Sequence, residues 1–289
     1  MRFSEDELAT LKCCDLVERT IHIWRPEQKP RAVIMALHGG MAHAGDYVEP
    51  ARYFRAHGFA LVSFDMHGHD AKKRVDIPGF DTLLDDAELF LLWVKITYPG
   101  LPIFIMGHSM GGLLATHLGL GRFAGDSDIQ GFIISSPYYV NAIKVAAPLH
   151  WLSGLLAKVA PTMKVPLASL TMLLTHDRDI TERHLADERD NLRATEVTVR
   201  FAHALTSAQA ALSGGAGLAA WRFPLFAVLA GDDKLADSTA GAAILKTVPA
   251  ELLDYHFYPS NYHENFNELN RDVIFGQVLG WLRNRLSPG

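Results

Sequence analysis

The run Ile103-Phe104-Ile105-Met106-Gly107-His108-Ser109-Met110-Gly111-Gly112-Leu113 decides how this chain is read. Its first four residues are apolar and half of them β-branched, as in a buried strand, and from Leu113 to Leu120 apolar positions recur at helical spacing. A Gly-x-Ser-x-Gly pentapeptide between a strand and a helix puts the serine on a sharp turn, where only glycine at the flanks lets the two elements approach. The hydroxyl then projects above the carboxyl end of the strand. A bare anion site at a helix N-terminus is the competing reading, but no Gly-Lys-Ser/Thr ending follows to cradle a nucleotide.

Outward from this point, short apolar runs recur at Ala32 to Leu37, Phe59 to Phe64, Phe132 to Ser135, Leu225 to Ala230 and Tyr255 to Tyr258. Helical patterns such as Leu83 to Lys95 lie between them, so an α/β fold is expected, with a mostly parallel central sheet flanked by helices. Leu16 to Trp24 alternates like an antiparallel strand at the sheet's edge. From about Pro137 to Arg222 no strand is evident, only helix-like pieces separated by Pro148, Pro161, Pro166 and Gly214-Gly215. The expected organisation is a core of residues 1–136 and 223–289 with a helical cap, or lid, inserted at 137–222. Within it Trp151, Leu152, Leu155, Leu156 and Val159 share one helix face, a stripe that suits packing on the core or contact with an acyl chain.

Composition narrows the function classes. The 289 residues are 49% hydrophobic and 20% charged, as in a globular chain with one large core. A net charge of −5 with scattered Lys and Arg gives no footprint for nucleic acid. Cys13 and Cys14 are adjacent and alone, which suits reduced thiols rather than a disulfide or zinc site. Glu5, Asp6 and Glu7 stand where a signal peptide would be basic, and no apolar run approaches the roughly 20 residues that span a bilayer. A cytoplasmic protein is expected, with peripheral membrane contact through the cap left open; the number of subunits is not legible.

A serine hydroxyl needs an imidazole to take its proton and a carboxylate to fix that imidazole's tautomer. In the order Ser, Asp, His, the sequence offers Asp233 just after the Leu225 to Ala230 strand and His263 after Tyr255 to Tyr258. Asp232, Asp237 and His256 compete for these roles. Two backbone amides are needed for the oxyanion; Met110 follows the nucleophile, and Gly40 in Leu37-His38-Gly39-Gly40-Met41 supplies the second, unless that pair is a plain turn.

Five motifs now resemble a known family, the monoacylglycerol lipase and lysophospholipase-like branch of the α/β hydrolases, grouped with the S33-type serine aminopeptidases. They are His38-Gly39-Gly40-Met41-Ala42-His43-Ala44-Gly45-Asp46-Tyr47, Asp65-Met66-His67-Gly68-His69, Gly107 to Gly112, Asp233-Lys234-Leu235-Ala236-Asp237-Ser238 and Asn261-Tyr262-His263-Glu264, spread over nearly the whole chain. The resemblance implies an esterase or lipase acting on acyl esters of the monoacylglycerol or lysophospholipid kind, without a cofactor. It further implies a cap over an acyl tunnel, Asp233 as the acid, and Gly40 and Met110 as oxyanion donors. The second motif departs from the family by running on as Asp70-Ala71-Lys72-Lys73-Arg74, without Gly-x-Ser.

Three other functions are weighed. Metal hydrolysis is disfavoured because His67-Gly68-His69-Asp70 lacks a following histidine and His263-Glu264 has Asn267 where a second ligand belongs. A non-catalytic receptor would usually have lost a triad member. An aminopeptidase would need a carboxylate for the substrate amine; Glu182, Asp187 and Glu188 are available, though a solvated face explains them too.

Overall fold

The computed structural model describes residues 2–70, 74–142, 154–166, 170–213 and 217–286. Eight strands form one sheet: β1 (Glu7–Lys12), β2 (Glu18–Trp24), β3 (Val33–Leu37), β4 (Ala60–Phe64), β6 (Ile103–His108), β7 (Ile129–Ser135), β10 (Leu225–Ala230) and β11 (Leu253–Tyr258). Their spatial order is β1-β2-β4-β3-β6-β7-β10-β11. From β4 to β11 every pair is parallel, whereas β2 is antiparallel to both β1 and β4.

Central strands read as continuous apolar runs because helices cover both faces. In β3, Val33, Met35 and Leu37 enter one core, and Ile34 and Ala36 the other. The first core is covered by α2 (Phe80–Thr97), α3 (Met110–Leu120) and α6 (Val199–Ser213), the second by α1 (Val48–Ala56) and α8 (Arg271–Arg283). A further helix, α7 (Ser238–Leu245), joins β10 to β11. The chain leaves β3 for β4 on one side and returns to β6 on the other, so the carboxyl ends of β3 and β6 open a crevice at the switch point, where open α/β sheets bind ligands. Gly40 and Ser109 stand at those two ends.

The outermost strand is β1, not the Leu16 to Trp24 segment. Its alternation is diluted by exposure, since Leu8 remains 46% exposed. The segment between β7 and β10 also departs from an all-helical expectation. It holds residues 154–159 as α4 and Arg178–Arg189 as α5, followed by α6, together with two three-residue strands, β8 (Lys164–Pro166) and β9 (Glu196–Thr198). These pair with each other, and β9 pairs with β5 (Arg74–Val75) of the flanking chain. Strands this short leave no periodicity in a sequence. Trp151 and Leu152 lie outside the described residues; Leu155 is 45% and Val159 69% exposed, and Leu156 is half-buried. Among the described residues, no helix is long and apolar enough to cross a membrane.

Candidate active site

Ser109 is the residue between β6 and α3, with φ 53° and ψ −117°, a conformation that L-residues seldom adopt. The turn around it is closed tightly. A Cβ at Gly107 would lie 2.4 Å from the Gly111 carbonyl oxygen, and one at Gly111 would lie 1.9 Å from that of Leu37. Both glycines are therefore demanded by space.

Ser109 Oγ lies 2.8 Å from His263 Nε2, and His263 Nδ1 lies 2.7 Å from Asp233 Oδ2. A carboxylate only accepts, so Nδ1 carries the ring hydrogen and Nε2 is left with a lone pair facing the serine hydroxyl. Asp233 Oδ1 accepts from the amides of Leu235 (2.8 Å) and Ala236 (2.9 Å). Burial pushes the Asp233 pKa upward, but His263 and these two amides outweigh it and hold the carboxyl below its ordinary value.

The competing residues are occupied elsewhere. Asp232 is solvent-exposed and pairs with Lys234. Asp237 caps α7, accepting from Ala240 N at 2.9 Å. His256 stacks on Phe226 with ring centroids 4.6 Å apart and pairs with Asp254. His108, beside the serine, packs against the His263 ring, and burial together with that neighbour pushes its pKa down to about 4.

Gly40 faces the elbow closely, since a Cβ there would lie 3.7 Å from Met110 Cβ. Among the described residues, neither the Gly40 nor the Met110 amide donates to another group, so both N–H groups remain available. Tyr47 fixes the base of this loop by donating its hydroxyl to Leu37 O at 2.7 Å. A pocket of about 540 Å³, partly open to solvent, surrounds Ser109. Leu174, Leu235 and Phe266 give it apolar wall; Asp46, Arg193 and Glu264 give it charge.

Those three charged residues belong to a buried network that the sequence did not reveal. Arg193 bonds Asp46 and, at 3.4 Å, Glu264; His184 Nε2 lies 2.8 Å from Glu264. Asp187 pairs with Arg2 and His43. It is buried rather than on a solvated face, and Glu182 is exposed. Among the described residues, His43, Asp46 and Asp187 are close enough together for a metal ion. However, His43 Nδ1 accepts from Gly45 N at 3.1 Å, so its Nε2 carries the hydrogen and points it at the two carboxylates. An ion-pair network fits these atoms better than a metal site. Its members come from three separate stretches of sequence, around Asp46, His184 to Arg193, and Glu264, and nothing in the sequence joins them.

Comparison with known proteins places this geometry in a family. The profile of the family described as Serine aminopeptidase, S33, matches residues 28–270. The chain belongs to that family. This S33 member is a serine hydrolase with the α/β-hydrolase fold. It is 32% identical to the Bacillus subtilis protein named Phospholipase YtpA over 257 residues, 87% of this chain and 95% of that one. It is 28% identical to a Monoacylglycerol lipase of Mycolicibacterium smegmatis, with 91% and 92% of the two chains covered. Among solved structures, a soluble variant of monoglyceride lipase from Saccharomyces cerevisiae superposes with a TM-score of 0.85 at 18% identity, covering 99% of this chain and 97% of that one.

Proposed function

We propose that this S33 hydrolase cleaves acyl esters of the monoacylglycerol or lysophospholipid kind through an acyl-enzyme on Ser109. The observation that carries the reading is the unbroken chain of short hydrogen bonds from Ser109 through His263 to Asp233. His263 takes the hydroxyl proton as Ser109 attacks the ester carbonyl, and Asp233 holds the tautomer and stabilises the imidazolium that forms. The Gly40 and Met110 amides receive the oxyanion. His263 then protonates the departing alcohol, and water repeats the steps in reverse order of roles to release the acid.

Residues 137–222 act as a cap over this site in the proposal. The names of the relatives, a phospholipase and a monoacylglycerol lipase, support an acyl ester as substrate. An ester is favoured over a peptide with a free amino terminus because the pocket carboxylates Asp46 and Glu264 are both engaged by Arg193.

The test is hydrolysis of p-nitrophenyl esters of graded acyl length, with a monoacylglycerol and a lysophospholipid alongside, by the wild type and Ser109→Ala. Serine-dependent turnover that prefers medium or long chains is expected. The serine variant should lose at least about a thousandfold in kcat. Full activity of Ser109→Ala would refute the assignment, and turnover restricted to acetyl esters would refute the lipid substrate.

A further inference from the structure

The loop bearing His263 is fastened from outside the α/β core. Glu264 N donates to Leu174 O at 2.8 Å, and Thr175 Oγ1 donates to Asn267 O at 2.7 Å. The Glu264 side chain is held by His184 of α5, by Arg193 and, within its own loop, by Asn267, whose Nδ2 donates to Oε2 at 2.8 Å. The same short stretch grips the oxyanion loop, because Arg193 bonds Asp46 and Ala194 N donates to Met41 O at 2.9 Å. One piece of the inserted segment thus touches both halves of the catalytic apparatus.

We propose that His184 is a positioning residue for catalysis: it holds Glu264 and, through it, sets where the adjoining His263 ring stands relative to Ser109. The inference rests on His263 being the general base. His184 is fully buried and does not line the pocket around Ser109, so it has no direct route to the substrate. Its hydrogen-bonding direction is determined by its neighbours. Arg193 Nη1 lies 3.3 Å from Nδ1 and can only donate, which leaves Nε2 to carry the hydrogen toward Glu264 Oε2.

Stability alone does not account for this arrangement. Burying two carboxylates and a guanidinium is commonly no better than packing apolar side chains of the same volume. What the network adds is direction: each bond ties one defined atom of the cap segment to one of the two catalytic loops. A base tolerates little displacement, and a shift of about 1 Å costs on the order of a hundredfold in rate.

The experiment measures kcat and KM for p-nitrophenyl acetate, a substrate too small to engage an acyl tunnel, and the rate at which a fluorophosphonate probe labels Ser109. The wild type, Ser109→Ala, His184→Phe and His184→Gln are compared well below their melting temperatures. His184→Phe should lose about tenfold or more in both kcat and labelling rate, with KM changed less than about twofold. His184→Gln, which restores an N–H toward Glu264, should recover most of both. A folded His184→Phe with wild-type labelling and kcat would overturn the proposal, as would a loss confined to KM. If that variant does not fold, Glu264→Gln decides: it should show the same fall in kcat, and no fall refutes the idea. Absence of labelling in the wild type would instead sink the Ser109 mechanism itself.

Discussion

Replacing Asp233 by asparagine changes one atom and no shape, yet the structure predicts a near-total loss of turnover. Asp233 Oδ1 already accepts two backbone N–H groups, from Leu235 and Ala236, while Oδ2 faces His263 Nδ1. An asparagine must keep its oxygen toward those two donors, because turning its NH2 that way would set donors against donors. The amide nitrogen then lands on His263 Nδ1, which can only accept from it. The ring hydrogen is forced to Nε2, the nitrogen 2.8 Å from Ser109 Oγ, and the imidazole cannot take the serine proton. In chymotrypsin-type enzymes this change costs about ten-thousandfold in kcat, which at about 1.36 kcal/mol per tenfold is about 5.4 kcal/mol of barrier. A burst-corrected kcat for a soluble ester at neutral pH measures it. Asp232→Asn is the matched control, expected within about twofold because that side chain is exposed and pairs with Lys234. Retention of more than about a tenth of wild-type kcat by Asp233→Asn, or a larger loss in Asp232→Asn, would refute the tautomer argument.

Other expectations follow from single contacts. Gly111→Ala drives a methyl into the Leu37 carbonyl, which a central strand cannot move aside, so the loss of stability should exceed about 4 kcal/mol and appear as a collapse of Tm or of folded yield. Leu155→Ser with Val159→Ser removes apolar groups that already face solvent, so urea melts should move by less than about 0.5 kcal/mol per site. If this face meets lipid, activity on dispersed long-chain substrate falls while a short soluble ester is hydrolysed as before; equal rates on both would exclude that contact. Asp233, Asp177 and Glu264 all have folded pKa values below their ordinary ones. Their contribution is complete above the unfolded carboxylate range, about pH 4, and is lost as pH falls from there toward the folded values. Urea midpoints should therefore drop steeply below about pH 4, and a flat profile down to about pH 3 would contradict it.

The parts of the fold legible in the sequence are those whose burial is one-sided or complete. β3, β4 and β10 are covered on both faces, so each reads as an apolar run with few interruptions. β1 presents Leu8 and Thr10 to solvent and lost its signature. The elbow of Ser109 was legible because its turn imposes glycine at fixed offsets, and the proposed acid and base because each follows a strand in the required order. The order of residues alone left Asp232 beside Asp233, which the family resemblance favoured; the backbone turns Asp233 inward to two amides and Asp232 outward to Lys234. The network of Asp46, His184, Arg193 and Glu264 stayed hidden because charged residues on an isolated helix or loop look like solvated surface, and Asp187 was read in that way.

For the proposed cap, this buried network limits which elements are free to move. Ser109, Asp233, His263 and the proposed oxyanion amides all stand at the ends of β3, β6, β10 and β11, so a segment enclosing them could have rested there through apolar contact. Such contact is non-directional and tolerates sliding. α5 and the residues flanking it are instead tied by charged hydrogen bonds and backbone amides to the loops of His263 and Gly40, bonds whose energy depends on fixed distances and angles. Opening that displaced α5 as a rigid piece would break the His184–Glu264 bond and take a buried partner from that carboxylate. In the proposed cap, movement that spares the chemistry is therefore expected to leave α5 in place and to fall on elements such as α4, with its exposed Leu155 and Val159, for which no bond to either loop is seen among the described residues.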